Sequence, residues 1–256
     1  MLRCLVPPST GTQRARARGE ILQRALERAL HEEVRVEVPD TYRELEERLG
    51  RGEAELAWAP AAVLAKIEAV TVNLRGAYKV LRGGRSSYRS AIVVREDSGR
   101  HELADLKGAR AGWVDPLSLG GCLLALDHLR QNGFDPALLG PTHYLGTHPA
   151  ALAAVVEGRT DVSAVSVAGP WNEDIANALR LHAGIGAQAL RSLAVTDEAP
   201  TDAFVLTDVL GLERAAAIEE RLFGDRKGSA LCMAMEVEGF ERAEPGEYAR
   251  LQRLLP

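Results

Sequence analysis

Short apolar strands and amphipathic helices alternate along this chain, and that alternation constrains the fold more than any other feature of the sequence. Residues 34–38, Val-Arg-Val-Glu-Val, alternate apolar and charged side chains as a half-buried strand does. The preceding segment, residues 14–30, places its leucines and alanines on one helical face. Repetition of this order indicates an α/β protein whose sheets are largely parallel.

The same order of elements occurs twice in the 256 residues. A second series of strands and helices starts at residue 88, and glycine-rich segments precede and follow it. The sequence therefore predicts two lobes, with residues 1–86 plus 190–256 in the first and 87–189 in the second. Each lobe is expected to be a mixed, mostly parallel sheet flanked by helices. We expect a ligand cleft at the hinge between the lobes, where α/β proteins usually bind ligands.

Charge and composition exclude several classes of function. Lys plus Arg total 31 against 36 for Asp plus Glu, a net charge of −5, so no overall positive field would attract nucleic acid. Apolar runs end well short of the roughly 18 residues needed to cross a bilayer, so no membrane insertion is expected. Three cysteines without metal-type spacing favour a reducing compartment. We expect a cytoplasmic location, or a periplasmic one if an export signal has been trimmed.

Sequence signatures of catalysis and of cofactor binding are not recognisable. The chain has neither a zinc-protease motif nor a phosphate-binding P-loop, and its six histidines are scattered. We therefore predict no metal, no cofactor and no assigned catalytic residue, although this leaves the possibility of an enzyme open. One loop stands out, Trp-Val-Asp-Pro-Leu-Ser-Leu-Gly-Gly at residues 113–121. It is either a plain turn or an anion-binding loop at the start of a helix.

Several segments, taken in order, resemble the phosphate/phosphite/phosphonate-binding proteins of ABC transporters. They include Pro-Asp-Thr-Tyr at 39–42, Asp-Pro-Leu-Ser-Leu-Gly-Gly at 115–121, Gly-Thr-His at 146–148 and Val-Glu-Gly-Arg-Thr-Asp at 156–161. The resemblance covers most of the chain. It implies a two-lobed type 2 periplasmic-binding-protein fold that closes by hinge motion on a small anionic ligand, either a phospho-compound or a carboxylate.

The resemblance also implies an anion site in the loop at 115–121. In the family this loop typically presents three hydroxyl side chains, and the matched positions here are Ser118, Leu119 and Gly120. Two of the three hydroxyls are thus replaced, while the N–H groups of Leu119, Gly120 and Gly121 remain as donors. Because each lost hydrogen bond to a charged ligand is worth roughly 1.5–3 kcal/mol, the site is expected to be retuned or lost.

Four further side chains are candidates for the ligand site. The resemblance implies that His148 donates a hydrogen bond to the anion and that Tyr42 and Tyr88 contact the organic part of the ligand. Asp161, just before a predicted strand, is also included, although aspartates at such turns are more often structural.

Two alternatives remain beside a solute-binding protein, which could itself be an intracellular sensor acting through a protein partner. The chain could be a cytoplasmic enzyme on the same fold, lyase-like, with His148 or Asp161 as its acid or base. It could also be a protein-interaction module whose cleft is vestigial.

Overall fold

The computed structural model describes residues 1–8, 12–70, 74–224 and 230–255, with the side chains of 12–16, 69 and 70 left out. These residues form two compact units, Met1–Ser86 with Pro200–Leu255, and Ser87–Ala199. The sequence predicts that residues 190–199 belong to the first lobe. In the structure they belong to the second unit, because the strand that they form pairs with a strand starting at Ser87.

The described residues contain twelve strands and eight α-helices. The strands are β1 (Leu2–Leu5), β2 (Val34–Glu37), β3 (Leu56–Ala59), β4 (Gly76–Leu81), β5 (Ser87–Arg95), β6 (Ala111–Trp113), β7 (Thr142–Tyr144), β8 (Val162–Val167), β9 (Leu190–Val195), β10 (Ala199–Pro200), β11 (Ala203–Leu206) and β12 (Gly239–Arg242). The helices are α1 (Thr12–Leu30), α2 (Tyr42–Gly50), α3 (Ala61–Val70), α4 (Leu124–Gln131), α5 (His148–Val156), α6 (Asn172–Ala183), α7 (Leu212–Phe223) and α8 (Ala230–Met235). None of the described helices is long and apolar enough to cross a membrane.

The first unit is built on a six-stranded sheet in the order β12-β4-β11-β3-β1-β2. Strand β1 runs parallel to β2 and β3, whereas β11 is antiparallel to β3 and β4, and β12 is antiparallel to β4. The mixed two-sheet α/β fold is confirmed. The prediction that parallel pairs dominate was wrong for this sheet, which has two parallel and three antiparallel pairs. The reason is connectivity: the chain leaves this unit just after β4 and returns just before β11, which pairs with β4 in the opposite direction.

The second unit has a sheet in the order β10-β5-β8-β6-β7, and β9 also pairs with β5. Strand β6 is parallel to β7 and β8, while the long strand β5 is antiparallel to β8 and β9. Apolar cores cover both faces of this sheet. One contains Trp113 and the apolar face of α4, and the other contains residues of α5 and α6. Both faces are covered, so the site described below is formed at strand ends and helix starts.

Local sequence signals explain most of these elements. Helix α2 begins after Thr41, whose side-chain oxygen accepts a hydrogen bond from the N–H of Glu44 at 3.0 Å, as a capping residue does. Helix α5 begins in the same way after Thr147, with Pro149 in its first turn. Strands β4, β11 and β12 and helix α6 were not predicted from the sequence.

A hydrogen-bonded cluster in the first unit joins the segment at which the chain leaves this unit to the segment at which it returns. Thr201 donates its N–H to the carbonyl of Ser86 at 3.0 Å and its hydroxyl to the carbonyl of Val80 at 2.9 Å. The fully buried Tyr248 donates its hydroxyl to the carbonyl of Thr201 at 2.8 Å. The C-terminal segment therefore fixes the backbone next to the point where the chain passes between units.

Replacing Tyr248 with phenylalanine should test this cluster. The substitution removes only the hydroxyl and leaves the buried carbonyl of Thr201 without this donor, so we expect the free energy of unfolding to fall by about 1–3 kcal/mol. Urea denaturation followed by circular dichroism measures the change. Tyr144→Phe is the matched control, because Tyr144 is exposed and its loss should change stability by less than about 0.5 kcal/mol. Equal effects of the two substitutions would contradict this role.

Candidate anion-binding site

The loop after β6 leads into a widened helical turn. Residues Leu119–Leu123 form a π-helical turn that continues directly into α4. Its hydrogen bonds join residues five positions apart, as from the N–H of Leu123 to the carbonyl of Ser118 at 3.1 Å. Such turns often occur at functional sites. The first N–H groups of this helix therefore point away from its own carbonyls and are available to other acceptors.

Ser118 caps this turn and accepts a hydrogen bond from only one of its first N–H groups. Its side-chain oxygen accepts a hydrogen bond from the N–H of Gly121 at 3.2 Å, so that N–H, expected to hold the ligand, is already used. The N–H groups of Leu119 and Gly120 have no hydrogen-bond acceptor within the part of the chain that the structure describes. Two backbone donors thus remain at the positive end of a helix dipole. Ser118 itself is 7% exposed, and its hydroxyl hydrogen remains available for donation.

Close packing explains why two glycines stand at the start of this helix. A Cβ atom on Gly121 would overlap with Val114, and a Cβ atom on Gly120 would overlap with Oγ of Ser166 and lie 2.9 Å from the ring of Tyr88. The carbonyl of Gly120 is held by the buried hydroxyl of Ser90 at 2.7 Å. The backbone of this turn therefore lies directly against β5 and β8. Tyr88, predicted to face the ligand, is brought next to Gly120.

His148 lies at the start of α5, where its ring approaches the same region. Its Nε2 atom is 3.4 Å from Oγ of Ser166, the residue that excludes a side chain from Gly120. The pKa of His148 is lowered to about 4, mainly by burial and in part by the neighbouring His182, whose ring centre is 5.1 Å away, while the backbone of Ala164 opposes the shift. The imidazole is therefore neutral at pH 7. It can donate or accept one hydrogen bond at Nε2, but it contributes no positive charge.

Two further predicted site residues lie outside this group of residues in the second unit. Tyr42 belongs to the first unit, where it is buried at the first position of α2, and its role in ligand binding stays a prediction. Asp161 precedes β8, whereas Ser166 lies near the far end of that strand, roughly 16 Å away at about 3.3 Å per residue. The two carboxylate oxygens of Asp161 pair with Arg110, each at 2.9 Å, which lowers the pKa of Asp161. This ion pair favours a structural role for Asp161, away from the start of the helix.

Ser166 was missed because a serine within an apolar strand resembles any other strand residue. Only the folded chain brings Ser166 next to Gly120. In the first unit, the sequence likewise does not reveal that Asp202 is buried. Burial raises the pKa of its carboxyl group, while Arg82, the backbone of Ala61 and the side chain of Trp58 favour the charged form. No cluster of three or more potential metal ligands occurs among the described residues.

A family model settles what kind of protein has this site. The model for the periplasmic substrate-binding proteins of phosphonate ABC transporters matches residues 5–248. The chain belongs to this family. Its function is accordingly solute binding, and the family resemblance of its motifs is confirmed over nearly the whole length.

Solved structures of other proteins share the fold. A binding component of a phosphonate ABC transporter from Pseudomonas aeruginosa superposes with a TM-score of 0.81 at 17% identity, covering 99% of this chain and 84% of that one. PhnD1 from Prochlorococcus marinus, in complex with methylphosphonate, gives 0.79 at 18% identity, covering 99% and 96%. A Xanthomonas citri protein bound to ATP gives 0.76 at 18% identity, covering 99% and 96%. The type 2 periplasmic-binding-protein fold is therefore confirmed.

The neutral state of His148 can be checked by titration. We expect NMR of the ring carbons to give a pKa near 4, against about 6.5 for an unperturbed histidine. Between these values the unfolded chain holds a proton that the folded chain lacks, so the free energy of unfolding should decrease as pH falls from about 6.5 to 4. His148→Asn should make stability depend less on pH in this range. A ring pKa of 6 or above would contradict the burial of the imidazole.

Proposed function

We propose that the start of the helix at Leu119 is the anion-binding site of this solute-binding protein, and that its ligand is a small oxyanion of the phosphonate type. The observation that carries the proposal is the pair of backbone N–H groups of Leu119 and Gly120, which have no acceptor among the described residues. Helix starts with free N–H groups bind phosphate-like anions through these donors and the helix dipole. The hydroxyl of Ser118 supplies a third donor.

Neutral groups make up this site. Ser118, Leu119, Gly120, Tyr88 and His148 carry no positive charge at pH 7, given the lowered pKa of His148. Arg110 of the same unit is engaged by Asp161. The ligand would therefore be held by oriented hydrogen bonds, which depend on the positions of its oxygens more than on its total charge. We expect binding to respond weakly to added salt compared with a site built on lysine and arginine.

Replacement of a family hydroxyl by Leu119 does not remove the backbone donor at that position. The side chain of Leu119 is 3% exposed, and its N–H remains unpaired among the described residues. This favours a retained but retuned site over a vestigial one. Relatives in complex with methylphosphonate and with ATP suggest two ligand sizes for a first comparison.

Leu119→Pro is a direct test of the backbone donor. Proline has no N–H, yet it suits the first helical position. The preceding Ser118 already has the extended backbone, φ −73° and ψ 108°, that a residue before proline adopts. Loss of one hydrogen bond to a charged ligand should weaken binding of methylphosphonate by about 10- to 100-fold, measured by isothermal titration calorimetry.

Leu119→Ala is the matched control, because it removes the same buried side chain but keeps the N–H. We expect its dissociation constant to stay within a few-fold of the wild-type value. Inorganic phosphate, sulfate, acetate and ATP should be titrated in parallel to define the ligand class. Equal binding by the proline and alanine variants, or no binding of any anion by the wild-type chain, would contradict the proposed site.

A further inference from the structure

Ser166 is the partly exposed residue of an otherwise buried strand. In β8, residues Val162 to Val165 and Val167 are all buried, and Ser166 alone among them retains solvent exposure. The other serine of the strand, Ser163, is fully buried. Because side chains three positions apart point to opposite faces of a strand, the two hydroxyls lie on different sides of the sheet. Ser166 thus faces the start of the neighbouring helix while Ser163 does not.

The hydroxyl of Ser166 occupies the space that a side chain at position 120 would need. A Cβ atom added to Gly120 would overlap with Oγ of Ser166 and would lie 3.1 Å from its Cβ. The same glycine carries one of the two unpaired N–H groups of the site. Ser166 therefore places a hydroxyl group beside this backbone donor, although the two residues are 46 positions apart in the sequence.

His148 can orient the Ser166 hydroxyl. Its Nε2 atom, at 3.4 Å, is the hydrogen-bond partner of Ser166 Oγ in the described part of the chain. A neutral imidazole that carries its proton on Nε2 donates to Oγ and leaves the serine hydrogen free to point elsewhere. The opposite arrangement, in which serine donates to the ring, would use that hydrogen. An anion in front of Gly120 would favour the first arrangement, since it accepts the serine hydrogen.

We propose that Ser166 is a ligand-binding residue that donates its hydroxyl to an oxygen of the bound oxyanion, and that His148 positions this hydroxyl. The proposal rests on the function proposed above, since it concerns the same site. It gives Gly120 a specific role: the absence of a side chain there allows a hydroxyl from β8 to reach the ligand. His148 then contributes to binding through the orientation of this hydroxyl.

The first experiment compares Ser166→Ala with Ser163→Ala in the full chain. Both remove one hydroxyl from β8, and only the first lies beside Gly120. With methylphosphonate as the probe, we expect calorimetry to show about 10- to 100-fold weaker binding for Ser166→Ala and an unchanged dissociation constant for Ser163→Ala. Similar affinity in Ser166→Ala and wild type would overturn the proposal. If wild type binds no anion at all, the proposed function fails first, so the two failures are distinguishable.

A reciprocal exchange tests whether the hydroxyl or merely the packing matters. Gly120→Ser alone should abolish binding, because its Cβ overlaps with Ser166 Oγ. Combining Gly120→Ser with Ser166→Gly removes that overlap and returns a hydroxyl to the site from the helix side, so binding should recover at least tenfold over Ser166→Gly alone. The ring of Tyr88, 2.9 Å from the new Cβ, must shift by a few tenths of an ångström. No recovery in a folded double variant would contradict a ligand-binding hydroxyl.

A double-mutant cycle separates the positioning role of His148 from direct contact. If His148 acts through Ser166, then adding His148→Ala to Ser166→Ala should weaken binding by less than about threefold more. Losses that multiply would show that the two residues act independently and would overturn the positioning role. Nitrogen chemical shifts of the His148 ring provide a second readout. They should show the proton on Nε2 in the methylphosphonate complex.

Discussion

The approach of the helix start at Gly120 to strand β8 is the constraint on which the site depends. It brings a backbone with two N–H groups that have no acceptor among the described residues against Ser166 and Tyr88, and it leaves no space for a side chain at position 120. The buried hydroxyl of Ser90, on β5, donates a hydrogen bond to the carbonyl of Gly120. Strands β5 and β8 are paired along six residues of each, so the side chains that contact Gly120 are carried on regular elements of the sheet.

The chemistry of the site follows from this packing. Residues Leu119 to Gly121 are buried, and low local dielectric strengthens hydrogen bonds to an anion but disfavours any buried charge. Burial likewise keeps His148 neutral, so the ring can orient a hydroxyl but cannot form an ion pair at pH 7. In this chain β8 places the hydroxyl of Ser166 next to Gly120, a position without a side chain.

Much of the fold could be predicted from sequence, because its signals are local. Alternation in β2 depends on neighbouring residues only, and the predicted strand agrees with the structure. Strands β4, β11 and β12 were missed because their pairing partners are distant in the sequence, as β11 and β4 are more than 120 residues apart. The assignment of residues 190–199 to the first lobe failed for the same reason, since only pairing with β5 places them.

Site residues, too, could be predicted only where the signal is local in the sequence. The loop containing Ser118 to Gly121 could be found from its motif, whereas Ser166 could not, because nothing in Val-Ser-Val indicates which face meets the helix. The hydrogen bond from the N–H of Gly121 to the side chain of Ser118 likewise depends on a turn geometry that the residue types alone do not specify. Asp161 was included on position in a motif, and its pairing with Arg110, 51 residues away, required the fold.

The most direct test of the central claim is a titration of the isotopically labelled chain with methylphosphonate, followed through its backbone amide resonances. An N–H that begins to donate to an anionic oxygen shifts its proton signal downfield. If the helix start is the anion site, the largest downfield shifts should be those of Leu119 and Gly120, and Gly121, already bonded to Ser118, should change less. Saturable binding that leaves the Leu119 and Gly120 amides unshifted would contradict the account.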